Sequence, residues 1–158
     1  MLNPEYGYWN VSIEKNGRMR MPTELLKALP EDERKSFFVT HGFGNHVMLW
    51  TSQAFRKRMD IMNTLNKNDI KVKTYRNAFL RDLTNIECDV QNRVVIPKAF
   101  LETYNIDKEV VIVLDNGQIE IWSKEEFKIF DLNSEEMAEY NQDIFGNKNN
   151  NITEQGNE

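Results

Sequence analysis

One cysteine, Cys88, stands in the 158 residues, which excludes an intrachain disulfide framework and suits a reducing cytoplasm. No basic residue adjoins it in the chain, so the thiol reads as a small buried side chain rather than a nucleophile. No stretch reaches the roughly 18 consecutive apolar residues of a membrane-spanning helix. The opening Met1-Leu2-Asn3-Pro4-Glu5 lacks the basic-then-apolar order of a secretory signal, and no leader is expected. Histidine is sparse: His41 and His46 flank Gly42-Phe43-Gly44-Asn45, with no third or fourth ligand nearby in sequence, so no metal site is predicted. Gly42-x-Gly44 has none of the other residues of a phosphate-binding loop and no strand-to-helix setting. No Ser-His-acid or Cys-His constellation stands out. The expectation is a non-enzymatic protein without a cofactor.

An excess of positive charge is missing too, since the net charge is −5. Of the 25 acids and 20 bases, seven acids and one base, Lys148, lie from Asp131 onward, leaving 18 acids and 19 bases in residues 1–130. That body is near neutral. Any contact with a polyanion must therefore come from local clusters of base, helped by several subunits acting together. Residues 146–158 are Asn-rich and poor in large apolar side chains, and disorder is expected there. Residues 134–145 have a pattern that could extend a helix.

What is present in abundance is self-similarity. Trp9-Asn10-Val11-Ser12-Ile13-Glu14-Lys15-Asn16-Gly17-Arg18-Met19-Arg20-Met21-Pro22 aligns with Thr84-Asn85-Ile86-Glu87-Cys88-Asp89-Val90-Gln91-Asn92-Arg93-Val94-Val95-Ile96-Pro97. Each reads as an alternating strand, an acid, a polar turn, Arg, three residues and Pro. The match continues through Pro22–Leu29 against Pro97–Tyr104, each a two-turn helix with Pro in its first turn. It goes on through Phe37-Phe38-Val39-Thr40 against Val110-Val111-Ile112-Val113, and Val47-Met48-Leu49-Trp50 against Ile119-Glu120-Ile121-Trp122. Each Trp reads as a core anchor leading into a capped helix, with Ser123 and Glu126 forming a capping-box pattern. The first copy carries extra residues, placed in Pro30-Glu31-Asp32-Glu33-Arg34-Lys35.

Each copy is thus predicted as β-turn-β-α-β-turn-β-α. Between the copies, residues 51–65 and 70–83 have helical apolar spacing, broken at 66–69. The domain boundaries expected are 6–53 for the first module, 54–81 for a helical insert, 82–130 for the second module and 131–158 for an acidic tail. Modules this small have exposed strand edges and little core, so pairing them into one closed barrel is the economical solution.

The acid-turn-Arg-x-x-x-Pro signature, with a short helix and a second hairpin ending in Trp, resembles the AbrB-like swapped-hairpin fold. Two tandem copies around a helical insert, with Glu-Ile-Trp-Ser-Lys-Glu-Glu-Phe at residues 120–127, resemble the MraZ family in particular. The resemblance covers roughly Tyr6 to Phe130. It implies an α+β, mainly β fold in which two swapped-hairpin modules form one pseudo-twofold β-barrel. It also implies a cytoplasmic, nucleoid-associated regulator that binds promoter repeats in double-stranded DNA, assembles with itself into a ring, and controls the bacterial division and cell wall gene cluster. The family's turn is usually Asp-x-x-Gly-Arg, and this chain departs from it with Glu14 in the first copy and Asn92 in the second.

A turn between two strands can present a guanidinium to a DNA groove while the fold holds it rigid. Arg18 is the first candidate, with Lys15 and Arg20 on the same hairpin. Alternation sets Arg18 and Arg20 on one face, opposite Met19 and Met21. Arg93 and Lys98 are the candidates of the second copy. For each arginine a structural alternative stands beside DNA contact: a clasp of Arg18 to Glu14, or of Arg93 to Asp89. Gly17 and Asn92 complete the two turns. The central helices carry Arg56, Lys57, Arg58, Lys71, Lys73, Arg76 and Arg81, either as a solvated face or as phosphate contacts. An AbrB-type antitoxin or transition-state regulator and a DNA-independent assembly module are the competing readings.

Overall fold

The computed structural model describes residues 6–146. They fall into two compact units that divide after Glu126.

In the first unit, β1 (Tyr6–Ser12) leads through a short 3-10 turn (Lys15–Gly17) into β2 (Arg18–Arg20) and α1 (Thr23–Ala28). A 3-10 turn at Glu31–Glu33, within the extra residues of the first copy, precedes β3 (Ser36–His41) and β4 (Val47–Trp50). The helical insert is α2 (Ser52–Asn63) and α3 (Ile70–Leu80). The second copy repeats the order as β5 (Thr84–Glu87), β6 (Arg93–Val95), α4 (Lys98–Thr103), β7 (Glu109–Asp115), β8 (Gln118–Ser123) and α5 (Lys124–Phe127).

The caps explain the helix boundaries. Thr51 Oγ1 accepts the Ala54 N–H at 3.2 Å and Asp69 Oδ1 accepts the Lys71 N–H at 2.8 Å, each satisfying a donor that the first helical turn leaves unpaired. Ser123 Oγ accepts the Glu126 N–H at 3.1 Å. Pro22 and Pro97 sit one position earlier than expected, just before the first helical residue. Their fixed φ starts each helix, and their carbonyls accept from Leu26 and Phe100 at 3.1 and 3.0 Å.

The two copies exchange strands. β1 of the first copy pairs antiparallel with β7 of the second, and β5 of the second pairs with β3 of the first. β4 pairs with β8 and β2 with β6. In those last two pairings Met48 faces Glu120 and Met19 faces Val94, each opposite its own counterpart in the repeat. The expected closed barrel is not what these pairings make. They give an open six-stranded sheet, ordered β1-β7-β8-β4-β3-β5, and a separate two-stranded ribbon, β2-β6. The reason is local: the first strand of each copy turns sharply into a strand of only three residues, and Pro22 or Pro97 follows close behind, without an N–H for further pairing. β1 and β5 therefore remain at opposite edges.

Both faces of the sheet are covered. One meets the ribbon and α1 and α4 in a core that includes Met19, Met21, Leu25, Phe37, Val94, Ile96, Phe100 and Ile112. The other carries Met48 and Trp50 against Met62 of α2 and Phe79 of α3. Trp50 and Trp122 are 2% and 6% exposed, as core anchors should be. Trp50 Nε1 donates to Thr40 Oγ1 at 2.7 Å, and His46 stacks on Trp122 at 4.5 Å. Cys88 is half-buried against the first core, and burial, with the nearby Asp89 charge, pushes its thiol pKa up.

In the second unit, α6 (Ser134–Asn141) opens on a complete capping box between Asn133 and Glu136 and continues into a π-helical turn at Gln142–Gly146. Of residues 146–158, where disorder is expected, Gly146 ends this π-helical turn and 147–158 lie outside the described residues. No helix of the described residues is long and apolar enough to cross a membrane.

Candidate nucleic-acid interface

The two repeat turns share their closing backbone hydrogen bonds, but the first has a second left-handed residue, Asn16 at φ 73°, and their side chains differ. In the first, the Glu14 N–H donates to the Arg18 carbonyl at 2.8 Å and the Gly17 N–H to the Glu14 carbonyl at 3.2 Å. In the second, the equivalent bonds join Asp89 to Arg93 at 2.9 Å and Asn92 to Asp89 at 3.0 Å. Gly17 and Asn92 have φ of 81° and 60°, so both turns need a left-handed residue, and Asn92 supplies one at low cost. Gly17 is needed for a second reason. A Cβ there would come within 2.5 Å of the Ile96 carbonyl oxygen, which no rotamer change relieves.

Asp89 clasps its turn. Its Oδ1 accepts the Gln91 and Arg93 N–H groups at 2.8 and 2.9 Å, and Arg93 Nε donates to Oδ2 at 2.9 Å. The Arg93 backbone N–H above all, then the Gln91 N–H and the Arg93 guanidinium, hold the Asp89 carboxyl below the usual carboxylate range. A depressed carboxyl contributes stability above its ordinary pKa, and that stability is lost as pH falls through the depressed value. Acid unfolding of the wild type should therefore steepen below about pH 4, and Asp89→Asn should flatten that part of a pH-melting profile. An unchanged profile would mean that the clasp adds nothing to folding.

Glu14 makes no such clasp. Its side chain caps nothing, and among the described residues Lys15, Arg18 and Arg20 form no ion pair. The extra methylene of Glu14 carries its carboxylate past the turn donors that Asp89 reaches. Arg18 is thus left exposed and unpaired beside a surface depression lined by Glu14, Lys15, Asn16 and Val95.

The β2-β6 register decides what these residues can do together. Arg18 lies opposite Val95, Met19 opposite Val94 and Arg20 opposite Arg93. Met19 and Val94 are each 1% exposed and face the core, so alternation turns Arg18, Arg20, Arg93 and Val95 outward on one face. Directly opposed residues on such a ribbon hold their Cβ atoms about 5 Å apart, and like charges so placed are destabilising. Arg20 faces Arg93 in this way, and the one carboxylate beside them, Asp89, is bonded to Arg93 alone. Three guanidinium groups gathered at the cost of repulsion make a surface suited to an anion carrying several charges.

Lys98 begins α4, whose Leu101 lies against the Gly17 turn. It is well exposed and pairs with Glu102 at 3.7 Å. The structure thus brings Arg18, Arg20 and Arg93 onto one ribbon and leaves Lys15 and Lys98 outside it. His41 is used differently: its ring nitrogens meet Tyr104 Oη and, at 3.1 Å, Asp82 Oδ2. This ties the end of β3 to the α3-β5 junction and to the residue after α4. Burial, first of all, raises the Tyr104 pKa.

The fold and site define a class: a mainly β protein of two interleaved copies that presents a guanidinium-bearing ribbon on a doubly covered sheet. The family model described as "MraZ protein, putative antitoxin-like" matches residues 79–146. Proteins named transcriptional regulator MraZ are similar over most of the chain. The one from Cytophaga hutchinsonii is 25% identical over 78% of this chain and 82% of its own length. That from Christiangramia forsetii is 25% identical over 89% and 92%, and that from a Thermoanaerobacter species 26% identical over 87% and 96%. The chain is thus similar to the MraZ family, and the matched model covers the second copy and continues through residue 146.

Proposed function

We propose that this chain is a sequence-specific transcriptional regulator that inserts the β2-β6 ribbon into the major groove of double-stranded DNA. The observation that carries the reading is the outward face formed by Arg18, Arg20 and Arg93. The major groove admits a two-stranded ribbon, and arginine forks match the paired acceptors of guanine or grip phosphate. Val95, 47% exposed on the same face, offers an apolar contact of the kind a thymine methyl accepts. Lys15 and Lys98 flank the ribbon as phosphate contacts, while Glu14, Gly17, Asp89 and Asn92 shape its turns.

On this reading the chain represses the division and cell wall gene cluster, including its own promoter, from the cytoplasm and at the nucleoid. It uses no cofactor and turns over no substrate. The near-neutral body makes one subunit's hold weak, which a homo-oligomeric ring on repeated sites would offset. The two copies are AbrB-like swapped-hairpin modules, at residues 6–53 and 82–130 around the insert 54–81, with 131–158 as tail. The relatives' names support regulation. The words "antitoxin-like" in the family's description keep an AbrB-type antitoxin as the second reading, against which stands the fusion of two copies in one chain.

Fluorescence anisotropy with DNA from upstream of the chain's own gene, against a scrambled duplex, tests the proposal. Selective binding that weakens steeply with salt is expected. Equal indifference to both duplexes at low salt would overturn it in favour of a DNA-independent assembly module.

A further inference from the structure

The helical insert concentrates the base that the whole-chain charge conceals. Residues 54–81 hold Arg56, Lys57, Arg58, Lys67, Lys71, Lys73, Arg76 and Arg81 against two acids, Asp60 and Asp69. The Asp69 carboxylate is engaged at the start of α3, accepting the Lys71 N–H at 2.8 Å. Arg58 lies over the Phe43 and Trp50 rings at 4.8 and 5.6 Å. Among the described residues, Lys67, Lys73 and Arg76 form no ion pair.

Those three side chains meet at one place. A cavity of about 290 Å³ between α2 and α3 is lined by Met62, Lys67, Val72, Lys73, Arg76 and Asn77. No carboxylate lines it. Asn77 is already committed, its amide nitrogen donating to the Lys73 carbonyl at 2.9 Å. Arg76 Nη1 lies out of solvent without a hydrogen-bond partner. A buried donor left unmade costs on the order of 1–3 kcal/mol, and more when it is charged. Arginine cannot relieve that cost by losing its proton. A lysine would be a mobile point charge here; the planar fork of Arg76 is a fixed pair of donors, matched to two oxygens of one tetrahedral anion.

We propose that the α2-α3 cavity is a phosphate site, with Arg76 as the bidentate donor and Lys67 and Lys73 closing over the remaining oxygens. Met62 and Val72 form an apolar wall that removes water and strengthens the pairing. The site is separate from the β2-β6 ribbon. The phosphate it takes is either a free phosphate group or a backbone phosphate of DNA held at the ribbon, and only the second source rests on the proposed function.

Two measurements on the full chain test it. In the first, the melting temperature is followed in sodium phosphate against sodium chloride of equal ionic strength. A ligand that binds only the folded chain raises it with concentration, so a rise is expected for wild type and for Lys57→Met, a base of α2 that does not line the cavity. The rise should vanish in Arg76→Met and Lys73→Met, whose apolar stems keep the packing. In the second, the salt dependence of duplex binding is compared between wild type and Arg76→Met. A slope reduced by about one marks a lost backbone contact.

A phosphate-specific rise with an unchanged slope supports the site and assigns it a free phosphate. A reduced slope supports it and assigns the DNA backbone, whether or not free phosphate also binds. If the chain binds no DNA at all, the first measurement decides alone. A rise that persists in Arg76→Met, or no phosphate-specific rise together with no change of slope, overturns the proposal.

Discussion

Arg18→Ala is expected to weaken binding to the upstream duplex by roughly 10- to 100-fold, the loss that follows when a bidentate arginine-base contact of about 1–3 kcal/mol is removed. Arg18 is the informative position because it owes nothing to the fold. It is exposed and forms no ion pair among the described residues, and its β2 neighbour Met19 does the packing. The variant should therefore melt within about 0.5 kcal/mol of wild type, as surface substitutions usually do. Arg93 would be a poorer probe. Its guanidinium is bonded to Asp89, so Arg93→Ala would free a carboxylate beside the DNA and mix repulsion with lost contact. Discrimination between native and scrambled duplex should fall with the affinity. Wild-type affinity in Arg18→Ala would remove the first hairpin from the interface, and an equal loss on both duplexes would make Arg18 a phosphate contact without a part in specificity.

What could be read from the chain and what could not divides along a physical line. Local signals were sufficient for the elements: the break at 66–69 falls between α2 and α3, and Thr51 caps α2. The repeat correctly placed Arg18 and Arg93 at equivalent turns. Nothing local could say that those turns meet. Arg20 faces Arg93 only because β2 pairs with β6 across the two copies, and pairing over such a separation depends on core packing rather than on either turn. The expectation of a closed barrel failed for a local reason instead: β2 and β6 are three residues long and Pro22 or Pro97 follows close behind, so they pair as a separate ribbon and leave β1 and β5 at the sheet's edges. The difference between Glu14 and Asp89 was legible as one methylene, but its consequence, a free Arg18 beside a clasped Arg93, needed the geometry. Arg76 gave no signal beyond a basic helix face. Its unpaired nitrogen is set by how α2 closes over α3.

Strand exchange also governs how the chain should unfold, and Phe100→Ala exposes this. Phe100 is fully buried in α4 and packs within 4.9 Å of His41, at the end of β3 in the other copy. Its truncation leaves a cavity in a core cluster built from both copies, with Met19 and Phe37 from the first and Val94 and Ile112 from the second. Cavity formation at such a site costs about 3–5 kcal/mol, which for a unit of this size lowers the melting temperature by on the order of 10–20 °C. If the copies were independent modules, the loss would fall on the second alone, and melting would split into an early and an unchanged transition. Because β1 depends on β7 and β5 on β3, neither copy keeps its sheet when the other is lost. A single shifted transition is expected by calorimetry, with Trp fluorescence and far-UV circular dichroism moving together. Two transitions would mean that the exchanged strands contribute less to folding than the packing within each copy.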